Sequence, residues 1–261
     1  MKDGILFLSH GAPSLLTGQS PAKRFLQELG HALDTPKAWI VVSAHWQQSP
    51  IGITASAAPA TIHDFRGFGP KLAQFDYPAL GDPELAARIV DAIHAAGLSA
   101  RAEPERGRDH GVWVPMALLS PDAKTPVIQV SLPAPDAEAD QLERLGPALS
   151  RFATEGYRVI FSGSLTHSLR DSIAAPESAP VLAEAAAFAS WARPAIQNSD
   201  IATLESWQSA PHAVRNHPTP EHFWPLIAAV ATGRAPRQLH QSWTHSALAM
   251  DVWSFEPANP R

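Results

Sequence analysis

Short apolar segments that alternate with helical ones constrain the fold of this chain more than any other feature. The segment AWIVVSA at 38–44 is typical of a buried strand, because Ile40, Val41 and Val42 are β-branched and apolar. Similar segments are GILFL at 4–8, IGITAS at 51–56, TPVIQVSLP at 125–133 and YRVIFSGS at 157–164. Strands separated by helices form βαβ units, so the pattern predicts an α/β fold with a central, mostly parallel sheet flanked by helices.

Capping residues mark where two of the predicted helices begin. Ser20 and Asp82 are suitable N-cap residues, and a proline follows each of them at the first helical position. Pro147 predicts a break or kink in another helical segment. The long stretch 55–80 predicts a loop, and long loops in compact domains are often functional. The predicted helices cover 20–33, 82–97, 136–156 and 180–197, and another helix is predicted to begin at Thr219. The segment 242–256 is predicted to form a closing strand.

The overall composition limits the class of protein. The chain has 261 residues, of which 45% are hydrophobic and 17% charged, and this balance favours a folded core over disorder. We expect one catalytic domain over residues 1–261. The formal net charge of −5 argues against nucleic acid as a partner. No apolar stretch is long enough for a secretion signal or a membrane span, so we expect a cytoplasmic protein without a membrane partner.

The chain has twelve histidines and no cysteine, so a tight transition-metal site must use imidazole and carboxylate ligands. Three predicted strands run directly into a histidine, at His10, His45 and His167. The carboxyl ends of parallel strands meet at one edge of a sheet, where α/β proteins bind their ligands. The sequence therefore predicts a site that contains these three imidazoles.

His222 is the fourth candidate. With Thr219 as N-cap and Pro220 at the first helical position, His222 would lie in the first helical turn. The positive end of the helix dipole disfavours imidazolium there, and metal ligation requires the neutral ring. Glu221 is an alternative ligand, and both residues are also compatible with an ordinary helix start.

Two further histidines lie in predicted loops. His110 follows Asp109 and suits an acid/base role, although a plain turn residue is also compatible with this segment. His63 either lines the mouth of a site or shapes the loop. His31 and His94 lie off the apolar stripes of their helices, which indicates a surface position. The sequence contains no G-x-S-x-G elbow, P-loop, dinucleotide fingerprint or H-E-x-x-H motif.

Six ordered motifs resemble those of the class III extradiol ring-cleavage dioxygenases, most closely the DOPA-dioxygenase type. They cover nearly the whole chain and are LSHGAPS, VVSAHW, TIHDFRGF, RDHGVWVPM, SGSLTHSLR and PTPEHFWPL. The resemblance implies a single α/β domain around a mostly parallel sheet. It also implies an enzyme that uses a non-haem metal and O2 to open the ring of a small aromatic catechol.

The resemblance assigns roles to individual histidines. His10, His45 and His222 would hold one ion per chain, either non-haem Fe(II) or Zn(II). His167 would act as general base or as an additional metal ligand, and His110 would be a second catalytic histidine in the substrate pocket. Many non-haem iron oxygenases use two histidines and one carboxylate, whereas this set of three histidines would suit zinc as well as iron.

Side chains near these histidines are expected to contact the substrate. An arginine would bind a substrate carboxylate, and aromatic rings would form an apolar wall. The expected pocket residues are His63, Trp46, Phe65, Phe68, Arg66 and Arg170. We expect a monomer or a small homo-oligomer. A zinc-dependent hydrolase with the same histidines and a non-catalytic binding protein on the same fold are the alternatives.

Overall fold

The alternating segments form a large sheet with helices on both faces. The structure is a computed structural model and describes residues 4–135 and 140–257. Its strands are β1 Ile5–Ser9, β2 Trp39–Gln47, β3 Ile51–Thr54, β4 Ala100–Glu103, β5 Val127–Leu132, β6 Arg158–Gly163, β7 Ala235–His240, β8 Trp243–Thr244, β9 Leu248–Ala249 and β10 Val252–Glu256.

Four neighbouring strands form the parallel centre of the eight-stranded sheet. The strand order is β4-β3-β5-β2-β6-β1-β10-β7, and β5, β2, β6 and β1 pair in parallel. Strand β10 runs antiparallel to both β1 and β7. The prediction of an α/β fold with a mostly parallel central sheet is confirmed. Because β2, β6 and β1 are adjacent, their carboxyl ends lie side by side.

The helices begin close to the predicted caps. Ser20 accepts a hydrogen bond from the backbone N–H of Lys23, and Asp82 accepts one from that of Leu85. The helices are α1 Pro21–Ala32, α2 Pro70–Ala73, α3 Pro83–Ala95, α4 His110–Leu119, α5 Asp140–Thr154, α6 Leu169–Ser172, α7 Ala183–Gln197, α8 Ile201–Glu205, α9 Ala213–Asn216 and α10 Trp224–Val230, and 3₁₀ turns cover Pro13–Leu16 and Trp207–Ser209.

The central strands are buried on both faces. In β1, Ile5 and Phe7 belong to the core that includes residues of α3, α5, α7 and α10, whereas Leu6 and Leu8 belong to the core with α1 and α4. Alternate residues of a strand point to opposite faces, so a wholly apolar strand fits between two helical layers. Within the described residues, no helix combines the length and apolar character that crossing a membrane requires.

Several elements differ from the predictions. The loop expected at His110 is the first turn of α4, and β4 and β7 were not predicted. The predicted closing strand is divided into β8, β9 and β10, because His245 and Ser246 adopt left-handed backbone angles that form a tight turn. Pro147 does not end α5, which continues through it, and the predicted residues 136–139 of this helix lie outside the described residues.

The start of α10 also differs from the prediction. The helix begins at Trp224, so His222 lies in the preceding turn and not in the first helical turn. The Thr219 hydroxyl donates to the carboxylate of Glu221 at 2.9 Å instead of accepting from a backbone N–H. His222 therefore lies outside the helix whose dipole was expected to act on it, and its ring contacts the side chain of Glu221 instead.

Candidate metal centre

Three histidine side chains converge at the carboxyl edge of the parallel strands. His10 follows β1, His45 lies near the end of β2, and His222 lies in the turn before α10. The Nε2 atom of His45 lies 3.1 Å from Nε2 of His10 and 3.2 Å from Nε2 of His222. His10 and His222 are buried and His45 is half-buried.

The end of β6 holds two of these histidines in place. A Cβ atom at Gly163 would clash with the carbonyl oxygen of His222, so the glycine allows the His222 turn to reach the sheet edge. That carbonyl accepts a hydrogen bond from the N–H of Ser164 at 2.8 Å. The N–H of His10 donates to the carbonyl oxygen of Gly163 at 3.0 Å.

The second ring nitrogen of each histidine faces a polar group. His10 Nδ1 lies 3.0 Å from the hydroxyl of Ser162, and His222 Nδ1 lies 3.0 Å from the carboxylate of Glu221. His45 Nδ1 lies 3.7 Å from the carboxylate of Asp64. The contacts with Ser162 and Glu221 fix the ring orientations of His10 and His222 and leave Nε2 as the ligand atom, whereas His45 Nδ1 and Asp64 are too far apart for a hydrogen bond. Glu221, an alternative ligand at the sequence level, thus contacts the nitrogen of His222 that points away from the cluster.

The donor set fits a transition-metal ion. Metal–nitrogen bonds of about 2.0–2.1 Å place neighbouring ligand atoms roughly 3 Å apart, which is close to the observed separations. Burial lowers the pKa of His10, His45 and His222 well below the usual value, and the charges of neighbouring histidines lower it further. The rings are therefore neutral near pH 7, which is the form that binds metals.

His167 lies beside this cluster. Its ring stacks on His222 with centroids 3.5 Å apart and an interplanar angle of 8°. Among the described residues, two groups have ligand atoms within 4.8 Å of one another, His10–His45–His222 and His45–Asp64–His110, and His167 belongs to neither. Burial and the charges of His217 and His110 lower the pKa of His167 to about 3. The ring of His167 is therefore neutral near pH 7.

The carboxylate of Asp64, which is not among the predicted site residues, holds His110 in place. Asp64 Oδ1 accepts a hydrogen bond from His110 Nδ1 at 2.7 Å and another from the backbone N–H of His110 at 3.2 Å. The rings of His110 and His45 lie 3.9 Å apart. Burial would raise the pKa of Asp64, but the hydrogen bond from His110 and the charges of His110 and His45 together lower it to about 2. In the sequence, the feature that could have identified Asp64 is its position in the motif TIHDFRGF.

Two buried charged residues fix the surrounding elements. Asp109, just before α4, accepts hydrogen bonds from the hydroxyl of Ser43 at 2.7 Å and from the side chain of Gln129. The guanidinium of Arg108 donates to backbone carbonyls of the loop 55–80, including that of Pro59 at 3.0 Å. Burial lowers the pKa of Arg108 to about 10, so it stays charged near pH 7. The loop that carries Asp64 is thereby attached to the start of α4.

A cavity of about 1010 Å³ opens next to the histidines. Its lining includes His45, His110, His167 and His222. Among the other predicted pocket residues, the ones that also line this cavity are Phe65, Phe68 and Arg170. The site therefore combines imidazoles, carboxylates, aromatic rings and two arginines, Arg170 and Arg215, in a space large enough for an aromatic substrate.

Trp46, His63 and Arg66 are not among the described residues that line the cavity. Trp46 is 6% exposed, and its indole N–H donates to the side chain of Gln48 at 3.0 Å. Adjacent residues of a strand point in opposite directions, so His45 and Trp46 cannot both face the cavity. His63 is exposed, and its Nε2 bonds to the carbonyl oxygen of Phe75 at 2.9 Å.

Comparison with known proteins agrees with this geometry. Residues 4–251 match the family described as the catalytic LigB subunit of aromatic ring-opening dioxygenase. The chain belongs to the LigB family. It is an extradiol aromatic ring-opening dioxygenase, an oxidoreductase. The membership in the extradiol dioxygenases that the six sequence motifs indicate is confirmed.

Individual LigB relatives are similar over most of their length. The 4,5-DOPA dioxygenase extradiol of Beta vulgaris is 37% identical over 257 residues, which cover 95% of each chain. The protein of the same name from Escherichia coli is 34% identical, with 85% of this chain and 82% of the relative covered. The crystal structure of an uncharacterized Escherichia coli protein superposes with a TM-score of 0.80 at 26% identity, over 97% of this chain and 100% of the other.

Proposed function

We propose that this LigB-family enzyme opens the ring of a DOPA-like catechol with one metal ion held by His10, His45 and His222. The main support is the convergence of three Nε2 atoms, separated by 3.1 and 3.2 Å, beside a cavity. We assign the active ion as ferrous iron, because zinc would fit the same ligands but has no redox chemistry. The bound iron would supply the redox coupling between the catechol and O2.

Two histidines would carry the proton transfers. His167 is neutral near pH 7 and lines the cavity, so we assign it as the base that takes a proton from a catechol hydroxyl. His110 donates its Nδ1–H to Asp64, which leaves Nε2 free to exchange a proton with a substrate oxygen. The two residues contact different members of the ligand set, since His167 stacks on His222 and His110 contacts His45.

Residues farther from the histidines would orient the substrate. Phe65 and Phe68 give the cavity an aromatic wall that excludes water from the reacting ring. Arg170 lines the same cavity and is the residue that we assign to a carboxylate on the substrate. Arg215 also lines the cavity, but its guanidinium already binds Asp171 and Glu184.

The first test is oxygen uptake. Protein loaded anaerobically with Fe(II) is mixed with a panel of catechols, including DOPA, and the solution is monitored for oxygen consumption and a coloured ring-opened product. Uptake with product formation is expected. Folded, metal-loaded protein that consumes no oxygen with any catechol would contradict the proposal and favour an oxygen-independent zinc hydrolase or a binding protein.

The role of His167 is tested by His167→Ala. Turnover should fall by about a hundredfold to ten-thousandfold, because a positioned general base contributes this much to rate. Iron content should stay at the level of the unsubstituted protein, because His167 is assigned as a base and not as a ligand. His94→Ala, which changes a helix residue bonded to a backbone carbonyl outside the cavity, is the control. Loss of iron in His167→Ala would show that His167 is a ligand.

A further inference from the structure

Exposed apolar side chains are concentrated around one opening of this protein. Among the described residues, the large hydrophobic side chains that are exposed are Phe68, Leu80, Leu169, Ile173, Val181 and Val214. Four of these line the cavity beside the histidines: Phe68, Leu169, Ile173 and Val214. Ile173 is 83% exposed and Val214 is 74% exposed. Single exposed hydrophobic residues are ordinary, but several around one cavity indicate a binding surface.

One apolar wall leads outward from His110. The ring of Phe65 meets the ring of His110 edge-on at 5.5 Å, and Phe68 meets Phe65 edge-on at 5.3 Å. Aromatic side chains therefore continue from the predicted reaction centre to the exposed edge of the cavity. A substituent that leaves the reacting ring in this direction would contact apolar surface along its length.

A second apolar wall begins at His167. Helix α6 starts two residues after this histidine, at Leu169; Ile173 is its C-cap residue, and Val214 belongs to α9. Arg215 of α9 donates to Asp171 of α6 at 2.8 Å and joins the two helices.

This pairing leaves the wall mainly apolar. Both charges of the Arg215–Asp171 pair are used within the protein, and Glu184 also binds Arg215. The α6–α9 wall therefore presents the side chains of Leu169, Ile173 and Val214 to a ligand, with Arg170 as its cation.

The cavity is also larger than a single catechol ring requires. Its volume of about 1010 Å³ is just above the range of roughly 300–1,000 Å³ typical of pockets for drug-sized ligands. We propose that the site also accepts catechols with a bulky apolar substituent, which lies between Phe68 and the α6–α9 wall. This inference rests on the proposed function, because it assumes that a catechol ring occupies the space beside His10, His45 and His222.

The proposal is tested with iron-loaded enzyme and catechols substituted para to one hydroxyl. Oxygen consumption is measured for unsubstituted catechol, for the methyl, butyl and hexyl derivatives, and for DOPA. The value of kcat/KM should rise by roughly twofold to fourfold for each methylene that enters the apolar space. The hexyl derivative should therefore exceed the methyl derivative.

Variants locate the effect. In Ile173→Asn and Val214→Asn, the ratio of kcat/KM for the hexyl and methyl derivatives should fall several-fold. Leu80→Asn is the matched control, because Leu80 is a similarly exposed apolar residue, 58% exposed, that does not belong to the described lining of the cavity. This control should keep the ratio of the unsubstituted protein. An equal fall in Leu80→Asn would contradict the proposed location.

Failure of this inference can be separated from failure of the proposed function. If unsubstituted catechol is cleaved but kcat/KM does not change from the methyl to the hexyl derivative, the function stands and the apolar subsite is wrong. In that case light scattering shows whether the protein is an oligomer. If it is, and if Ile173→Asn dissociates the oligomer, the apolar wall is an interface between copies of the chain and not a substrate subsite. If no catechol is cleaved at all, both proposals are wrong.

Discussion

A single hydroxyl group determines which nitrogen of His10 is available as a ligand. The hydroxyl of Ser162 has one proton, and it donates this proton to the carbonyl oxygen of Gly111. It must therefore accept from His10 Nδ1–H, 3.0 Å away, which leaves the lone pair on His10 Nε2. The carboxylate of Glu221 has the same effect on His222. The protein thus prepares the metal-binding tautomer before an ion arrives.

Removal of one ligand should abolish tight metal binding. His10→Ala leaves two of the three imidazoles, so iron measured by elemental analysis should fall far below one ion per chain. His31→Ala changes an exposed histidine of α1 and should keep full occupancy. Stoichiometric iron in His10→Ala would exclude His10 from the ligand set.

Asp64 should affect the rate more than metal binding. Asp64→Asn keeps the size of the side chain but removes the charge that binds His110 Nδ1–H, so His110 loses its fixed orientation. We expect kcat to fall by about tenfold to a hundredfold, by analogy with the carboxylates that orient metal-bound histidines. Asp76→Asn is the control, since Asp76 lies in the same loop and binds Thr61.

Two measurements distinguish an effect of Asp64 on the orientation of His110 from an effect on protein stability. If Asp64 orients His110, the pH profile of kcat should change in Asp64→Asn while the melting temperature stays near that of Asp76→Asn. Unchanged kcat and an unchanged pH profile would rule out this role.

At the residue scale, strand position predicts which histidines lie together, but it does not predict the direction of each side chain. His10, His45 and His167 were found because parallel strands deliver their last residues to one edge. Trp46 was assigned to the pocket from its position next to His45, and strand alternation turns it away. His63 was chosen for its imidazole, although its neighbour Asp64 makes the contact with His110. Sequence patterns identify the segment, whereas the local backbone decides which side chain of it faces the site.

At the element scale, the missed structures lack a regular hydrophobic period. Helix α4 is buried on almost all sides, so its apolar residues show no stripe, and its start at His110 resembles a loop. Strands β4 and β7 contain polar residues such as Arg101 and Arg237, and they form the two edges of the sheet. Edge strands with charged side chains look like loops when read without their partners.

The contact between α1 and α4 gives a prediction at this scale. A Cβ atom at Gly30 of α1 would clash with the carbonyl oxygen of Leu119 at the end of α4. Gly30→Ala should therefore lower the free energy of unfolding by about 1–3 kcal/mol, the usual effect of overpacking. In a helix without this contact, the same change would raise it by about 1 kcal/mol. Urea denaturation gives the sign of the change in the free energy of unfolding, and this sign shows whether the close contact between α1 and α4 is present.

A control on the same helix completes this test. Glu28→Ala changes an exposed position of α1 and should alter the free energy of unfolding by less than about 0.5 kcal/mol. Iron content should be the same in both variants, because α1 contributes no ligand. Stabilisation by Gly30→Ala would show that α1 does not approach α4 this closely.

At the scale of the whole molecule, the cluster of buried histidines makes the metal-free protein sensitive to acid. His217 is an example outside the ligand set, enclosed by the rings of Phe188, Trp207 and Phe223. Its Nε2–H donates to the carbonyl oxygen of Leu165 at 3.0 Å. Burial lowers the pKa of His217 from 6.5 to about 4. The folded state therefore binds this proton less readily than the unfolded state.

The direction of the pH effect follows from this difference. Between pH 6.5 and about 4 the unfolded chain binds a proton at His217 that the folded chain does not. The contribution of neutral His217 to stability is complete above pH 6.5 and is lost as the pH falls, by up to about 1.4 kcal/mol per pH unit.

His217→Gln removes the titrating group and keeps a donor for Leu165. Urea denaturation of chelator-treated protein from pH 7.5 to 4.5 should therefore give a shallower loss of stability in this variant by about that slope, whereas the exposed-site control His31→Gln should match the unsubstituted protein. Identical slopes in all three proteins would mean that His217 is protonated equally easily in the folded and unfolded states, and that its burial does not contribute to acid sensitivity.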